Sequence, residues 1–368
     1  MDICKATDKY ENWLAKQILL IREDLDRKHA AMRKDVFSFL RATFYRWMQL
    51  WPEACRLCDD APQVLAVGDL HIENFGTWRD VEGRLVWGVN DFDEACELPY
   101  TLDLVRLAAS AHLAIAEDQL KIKAKDACTS IMDGYKECLA GGGKPFVLAE
   151  HHHWLRETVS GVLRDPAKFW TKLDSLPALT EPIPSSAARA IERLLPESGL
   201  EYRVVHRTAG LGSLGRERYT AIVHYRGGEI AREAKALAPS AVIWANKTNK
   251  SGRFHYQEIL DASVRSPDPF VRLKGRWIVR RLAPDCSRIE LASMPKERDE
   301  GRLLYSMGFE TGNVHLGSAK AARKILRDLS QRPNNWLHQA AAKMVDRIVE
   351  DWHEWRHHAR PAGMKAKC

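Results

Sequence analysis

The chain has 368 residues, 45% hydrophobic and 29% charged, which is enough for about two packed domains. No run of about 18 apolar residues occurs and the start, MDICKATDKYENW, lacks the apolar core of a secretory leader, so neither a transmembrane helix nor export is expected. The net charge of +7 comes without a block of like charges, and eight scattered cysteines in so long a chain make no disulfide framework. The expectation is a cytoplasmic protein with a mildly basic surface and no membrane partner; nothing beyond that charge points to nucleic acid.

The first 60 or so residues read as helices. In FSFLRATFYRWMQLW, Phe37, Leu40, Phe44 and Trp47 recur at spacings of three and four, until Pro62 breaks the pattern. Cys55-x-x-Cys58 is the one close cysteine pair, and it lacks the second pair or histidines that a zinc knuckle needs. VLAV (64–67) and LVWGV (85–89) read as two neighbouring buried strands, with Glu82-Gly83 as a turn between them. VGDLHIENFG and VNDFDE would then follow those strands. A helix is expected over 102–120. The stretch 140–200 is less legible: GGGK (141–144) is a linker signal, His151, His152 and His153 read as a solvated helix end, and 176–186 reads as a connection between two bodies. YRVVHRTA, RYTAIVHY and EIAREAKAL then read as three strands, the last two joined by a hairpin at Gly227-Gly228. HYQEILDASV (255–264) reads as a helix, RWIVRRL (276–282) as a strand, and the chain from 303 on as helical. There are no internal repeats.

GLGSLG, with Gly210, Gly212, Ser213 and Gly215, matches G-x-G-x-x-G. Such a turn either opens a helix that binds a dinucleotide or joins two antiparallel strands over nucleotide phosphates. The next segment, YTAIVHY, is rich in β-branched and aromatic residues, which favours the second form. That form calls for a lysine on the strand after next, holding the α- and β-phosphates, and a helical glutamate to orient it. Lys235 lies in that strand, and Glu258 in the following helix is the natural partner; Glu233 shares a strand face with Lys235 and is the lesser candidate.

Phosphoryl transfer also needs a carboxylate near the attacking hydroxyl, together with an Asn and a second carboxylate for Mg²⁺. Asp69 and Asn74 lie five residues apart, the spacing such a loop requires. Asp91 follows the next strand as the second carboxylate, with Asp93 as a further metal ligand or support.

GDLHIENFG followed by NDFDE resembles the corresponding segments of aminoglycoside phosphotransferases and choline kinases, within the protein-kinase-like superfamily. The order FSFLRA, GDLHIENFG, NDFDE, DLVRLAAS, GLGSLG and KALAPSAV more closely resembles a bacterial family catalogued as domain of unknown function 2252. Two departures are visible: Ala42 stands where that family has Gly, and Ala236-Leu237 where it has Glu-Ala. The resemblance implies an α+β, two-lobe, kinase-like fold. Here the glycine loop follows the catalytic loop instead of preceding it, so a circular permutation is expected: a helical catalytic lobe over 1–185, a β-rich nucleotide lobe over 186–295, and helices over 296–368 that return to the first lobe. The helix near 305–318 resembles the one that ordinarily precedes a catalytic loop.

The expected activity is transfer from ATP, with Mg²⁺, to a hydroxyl-bearing acceptor, a small molecule by analogy. Asp69 would be the base, Asn74 and Asp91 the metal ligands, and Lys235 and Glu258 the phosphate clamp. His71 and Asp103 would brace the loop, Asp103 as a helix N-cap, while Arg41 would face the cleft or make a structural salt bridge. Alternatives are adenylyl transfer, a non-catalytic nucleotide-binding regulator, and a two-metal phosphoesterase built on Asp69-x-His71. The last would leave the glycine loop and Lys235 idle.

Overall fold

A computed structural model describes residues 1–149, 151–160, 165–247, 252–286, 291 and 298–358. The chain opens with α1 (Ile3–Leu14), α2 (Arg22–Lys34), α3 (Val36–Ala42), α4 (Phe44–Ala54) and the one-turn α5 (Arg56–Asp59). Asp35 starts α3 by accepting the Ser38 amide at 2.6 Å, which satisfies one of the free N–H groups of the first turn. A break at Thr43 separates α3 from α4, so the apolar pattern seen across FSFLRATFYRW belongs to two helices.

Next come β1 (Gln63–Ala66), β2 (Phe75–Arg79), β3 (Leu85–Val89), β4 (Cys96–Pro99), α6 (Tyr100–Ala116), α7 (Ala124–Gly141), β5 (Phe146–Val147), α8 (His153–Ser160), α9 (Pro166–Asp174) and α10 (Ser185–Glu192). The strands at 64–67 and 85–89 are not neighbours: β1 pairs with β4, and β3 lies between β2 and β5. The Glu82-Gly83 turn joins β2 to β3, with Gly83 at φ +73°. The loop 67–74 is thus one long crossing from the first small sheet to the second.

A five-stranded antiparallel sheet follows, built from β6 (Arg203–Val205), β7 (Arg218–Tyr225), β8 (Gly228–Ala236), β9 (Arg272–Lys274) and β10 (Trp277–Leu282) in the order β6-β7-β8-β10-β9. Two short helices, α11 (Ala241–Ala245) and α12 (Tyr256–Ala262), lie between β8 and β9. Arg226 and Gly227, both at positive φ, make the two-residue turn from β7 to β8, the geometry that suits the twist of a hairpin. The strand expected over YRVVHRTA is only three residues long. Side chains alternate across the sheet. Glu233 and Lys235 of β8 share a face with Arg218 and Thr220, their partners on β7, and with Arg280 on β10.

The chain ends with α13 (Glu300–His315), α14 (Ala321–Gln331) and α15 (Trp336–His358). α13 lies against α7 with unusually close backbones. A Cβ at Gly134 would fall 1.9 Å from the Tyr305 carbonyl oxygen, and one at Gly308 2.0 Å from that of Ile131. α15 crosses α6 and reaches α1, where the Ile3 N–H donates to Glu354 Oε2 at 3.4 Å. The first and last helices are therefore in contact. One continuous apolar core joins the helices to the inner face of the large sheet, and α9 covers a patch of the other face through Phe169 and Leu173. No helix among the described residues is long and apolar enough to cross a membrane, and the seven cysteines among them are free.

Candidate functional site

α6 supports the loop 67–74 from below. Asp103, in its first turn and fully buried, accepts the amides of Val67 at 2.7 Å and Gly68 at 2.8 Å. It is not the N-cap of α6, because Pro99 holds that position without a side-chain bond. His315, at the end of α13, contacts Asp103 Oδ2 through Nε2 at 3.0 Å, and the Tyr135 hydroxyl meets its Nδ1 at 2.8 Å. Two turns further along α6, Ser110 accepts the Ile72 amide at 3.0 Å, and Ser318 accepts that of Leu65 at 2.7 Å. Buried polar groups on α6 thus satisfy amides of a loop that no strand pairs, and Ser318 holds the strand that leads into it. Gly68, at φ +80°, is required here: a Cβ would lie 2.6 Å from the Glu94 carbonyl oxygen.

Asp69 projects from this loop onto Arg106, which stands between Asp103 and Ser110 in α6. Both Nε, at 2.8 Å, and Nη2 of Arg106 donate to Asp69 Oδ1, and Nη2 also donates to the Leu40 carbonyl. The fully buried guanidinium lies over the rings of Phe44 and Trp47, 5.0 and 4.9 Å from their centres. Burial raises the pKa of Asp69 above the usual carboxylate range, with Arg106 acting against it. Oδ2 faces the glycine turn: a Cβ at Gly212 would lie 3.4 Å from it and 3.1 Å from the Arg41 carbonyl. Arg106 is the site residue that motif reasoning missed. In DLVRLAAS it lies among apolar neighbours, and the only signal is its three-residue spacing from Asp103, which places both on one helix face.

Asn74 closes the loop. Its amide nitrogen donates to the carbonyls of Asp69 and Asp91, each at 3.1 Å, tying the two loops together. That orientation leaves its Oδ1 buried with no hydrogen-bond partner among the described residues. Across from it, Lys235 Nζ lies 2.6 Å from Asp93 Oδ2 and 3.5 Å from both oxygens of Asp91. Asp93 also meets Arg216 at 3.4 Å, and its Oδ1 has no partner among the described residues. The two carboxyls titrate in opposite directions. Burial works to raise Asp91, but Lys235 and the bond from Asp93 carry it below the usual range. Burial and the charge of Asp91 raise Asp93.

Glu258 does not meet Lys235. On α12 it pairs instead with Arg253 and His255, each at 3.0 Å, and is half exposed. The acidic partners of Lys235 come from the NDFD loop. Glu233, the lesser candidate, is fully buried among Arg207, Arg218 and Arg280. Burial opposes its ionisation, yet these three arginines hold it well below the usual range. One carboxylate against three guanidiniums leaves a surplus of positive charge beneath the glycine turn. Arg218 also reaches back to that turn, donating to the Ala209 carbonyl at 3.0 Å and to Ser213 Oγ at 3.1 Å.

The turn itself joins β6 to β7, with Gly210 and Gly215 at positive φ and a single 3-10 turn over Leu211–Ser213. Gly215 must be glycine, since a Cβ would sit 2.5 Å from Leu25 Cδ2. Ile21 donates its N–H to the Gly215 carbonyl at 2.8 Å, so α2 holds the turn from outside. Two adjoining cavities, of about 50 and 100 Å³, meet at Asn74, Asp91, Gly210 and Ser213. The first reaches Asp69, His71 and Arg41; the second is lined by Lys235, Arg207, Arg218, Arg280 and Arg281 against, among the described residues, two carboxylates, Asp91 and Asp268.

Arg41 both lines the cleft and forms a buried salt bridge with Glu73. His71 Nδ1 accepts the Glu73 amide at 3.2 Å, and its ring edge meets Phe37. Cys55 and Cys58 lie apart from this site, near the Ala340 carbonyl and Arg332 respectively. His151 and His153 are exposed at the start of α8, while the ring of His152 packs 4.8 Å from that of Phe146.

No curated protein and no solved structure matches the chain. Residues 20–165, which carry Arg41, the Asp69–Asn74 loop, Asp91, Asp93, Asp103 and Arg106, match the model of a family described as "Uncharacterized protein conserved in bacteria (DUF2252)".

Proposed function

We propose that the protein is an ATP- and Mg²⁺-dependent phosphotransferase with a circularly permuted kinase-like fold, acting on a hydroxyl group of a small molecule. The observation that carries this reading is the meeting of Lys235 with Asp91 and Asp93, 144 and 142 residues apart in sequence, at 3.5 and 2.6 Å beneath a glycine turn. The order within the sheet supports it: the turn joins the first two strands, the lysine is on the third, and a helix follows before the last two. The contact between α1 and α15 supports the permutation, since it sets the start of the first helix beside the last helix.

The residues fit a hard cation. Asn74 Oδ1 and Asp93 Oδ1 are buried oxygens without partners among the described residues, and the Asp91 side chain, 40% exposed, lines the same cleft. A bound Mg²⁺ would neutralise charge on the phosphates as the transfer proceeds. The surplus of arginine around Glu233, with Lys235, suits the triphosphate, and the N–H groups of the glycine turn would cover it. Arg106 fixes Oδ1 of Asp69 and leaves Oδ2 to orient the acceptor hydroxyl and take its proton. The cleft is narrower than the roughly 300 Å³ that a ligand site of this class needs, so Gly212 must lift from Asp69 to admit the nucleotide.

Asp69→Asn tests the assignment. It should bind Mg-ATP as the wild type does and lose about 10²–10⁴-fold in turnover, read by mass spectrometry of products formed from a metabolite extract. A product heavier by phosphate supports the reading, and one heavier by AMP would replace it with adenylyl transfer. Unchanged turnover would remove Asp69 from the chemistry.

A further inference from the structure

On the far side of α6 from the Asp69 loop, three helices bring together His112 of α6, Cys128 of α7 and His338 of α15. His112 Nε2 lies 3.3 Å from Cys128 Sγ, and one ligand atom from each of the three residues falls within 4.8 Å of the other two. The two imidazole rings are 5.1 Å apart. Tetrahedral zinc with bonds of about 2.0–2.3 Å sets its ligand atoms roughly 3.3–3.6 Å apart, so one edge is already in place and the other two need only small side-chain rotations. His338 Nδ1 is buried and has no hydrogen-bond partner among the described residues, a costly state for an imidazole. A bond to the backbone of Ala124 orients the His112 ring. Cys128 and His338 both line a cavity of about 530 Å³ that also takes in Asp133, Arg332 and Trp336.

We propose that His112, Cys128 and His338 form a zinc site that ties α6, α7 and α15 together and keeps its fourth position open to this cavity. Two imidazoles and one thiolate suit zinc better than magnesium or calcium, which take oxygen ligands. Binding replaces the Cys128 S–H proton with the metal and releases that proton to solvent. Three protein ligands leave one position for water or for a small anion entering from the cavity.

The test uses the full chain, stripped with a chelator and titrated with Co²⁺ as a spectroscopic stand-in for zinc. The expected result is one equivalent bound, with visible bands of a tetrahedral ion and a near-ultraviolet thiolate-to-cobalt band. That band should vanish in Cys128→Ser, and His338→Gln should weaken zinc binding by about tenfold or more. If Cys128→Ser does not fold, zinc-edge X-ray absorption of the wild type decides, with one sulfur and two imidazoles expected. No thiolate band, a band that survives in Cys128→Ser and so belongs to another cysteine, or an absorption spectrum without sulfur would each overturn the proposal.

Discussion

Glu310 lies fully buried on α13, its carboxyl accepting the Val89 amide at 3.2 Å and the Asn313 side chain at 2.8 Å. Burial pushes it up to about 7, against Arg265 and these two bonds. Unfolded, it would titrate near 4.5. Between those values the folded protein keeps a proton that the unfolded chain gives up. The stability tied to this group is therefore complete below about pH 4.5 and is lost as pH rises through 7, by about 3 kcal/mol in total. Glu310→Gln keeps a hydrogen-bonding group and removes the titration. Urea unfolding from pH 4.5 to 8 should show the wild type losing that much relative to the variant; parallel curves would contradict it. At this scale the sequence was legible where residues act through local spacing: Asp69, Asn74, Asp91 and Lys235 line one cleft. It was not legible where a partner is chosen in three dimensions. Spacing made Glu258 the natural partner of Lys235, yet the NDFD loop reaches the lysine first. Arg106 was hidden by its apolar neighbours, and the His112, Cys128 and His338 cluster by distances of 16 and 210 residues along the chain.

Elements that carry their own periodicity were legible to the residue. LVWGV and RYTAIVHY are strands over 85–89 and 218–225, because β-branched and aromatic side chains there fill two buried faces. FGTWR and CELP were missed; each is short, follows a polar loop and owes its strand to a neighbour. The same limit misassigned the partner of β1, since a four-residue strand does not encode whom it pairs with. The contact of α7 with α13 depends on glycines that no periodicity reveals. Gly308→Ala would push a methyl group against the Ile131 carbonyl and separate the helices. It should destabilise the protein by about 1–3 kcal/mol, measured by denaturant unfolding. Because α13 also holds His315 against Asp103, turnover should fall with it; an unchanged midpoint would show that the helices can part freely.

For the molecule as a whole, the order of motifs along the chain was readable, and the last helix, α15, packs on α1, α4 and α6 of the first half. The contact of α1 with α15 makes a direct prediction. A permutant opened between the exposed residues Glu181 and Pro182, with residue 368 joined to residue 1 by a short Gly-Ser linker, puts the sheet ahead of the Asp69 loop. It should fold and bind Mg-ATP with an affinity close to that of the native order; an unfolded product would count against the permuted arrangement. The central claim, that Lys235 and Asp91 belong to one nucleotide site, is tested most directly by thermal unfolding with and without Mg-ATP in the wild type, Lys235→Ala and Asp91→Ala. The account predicts that ligand at 100 times its Kd stabilises the wild type by about 2.7 kcal/mol, that a chelator abolishes the effect, and that neither variant responds. No stabilisation of the wild type, or an equal response in all three proteins, would contradict it.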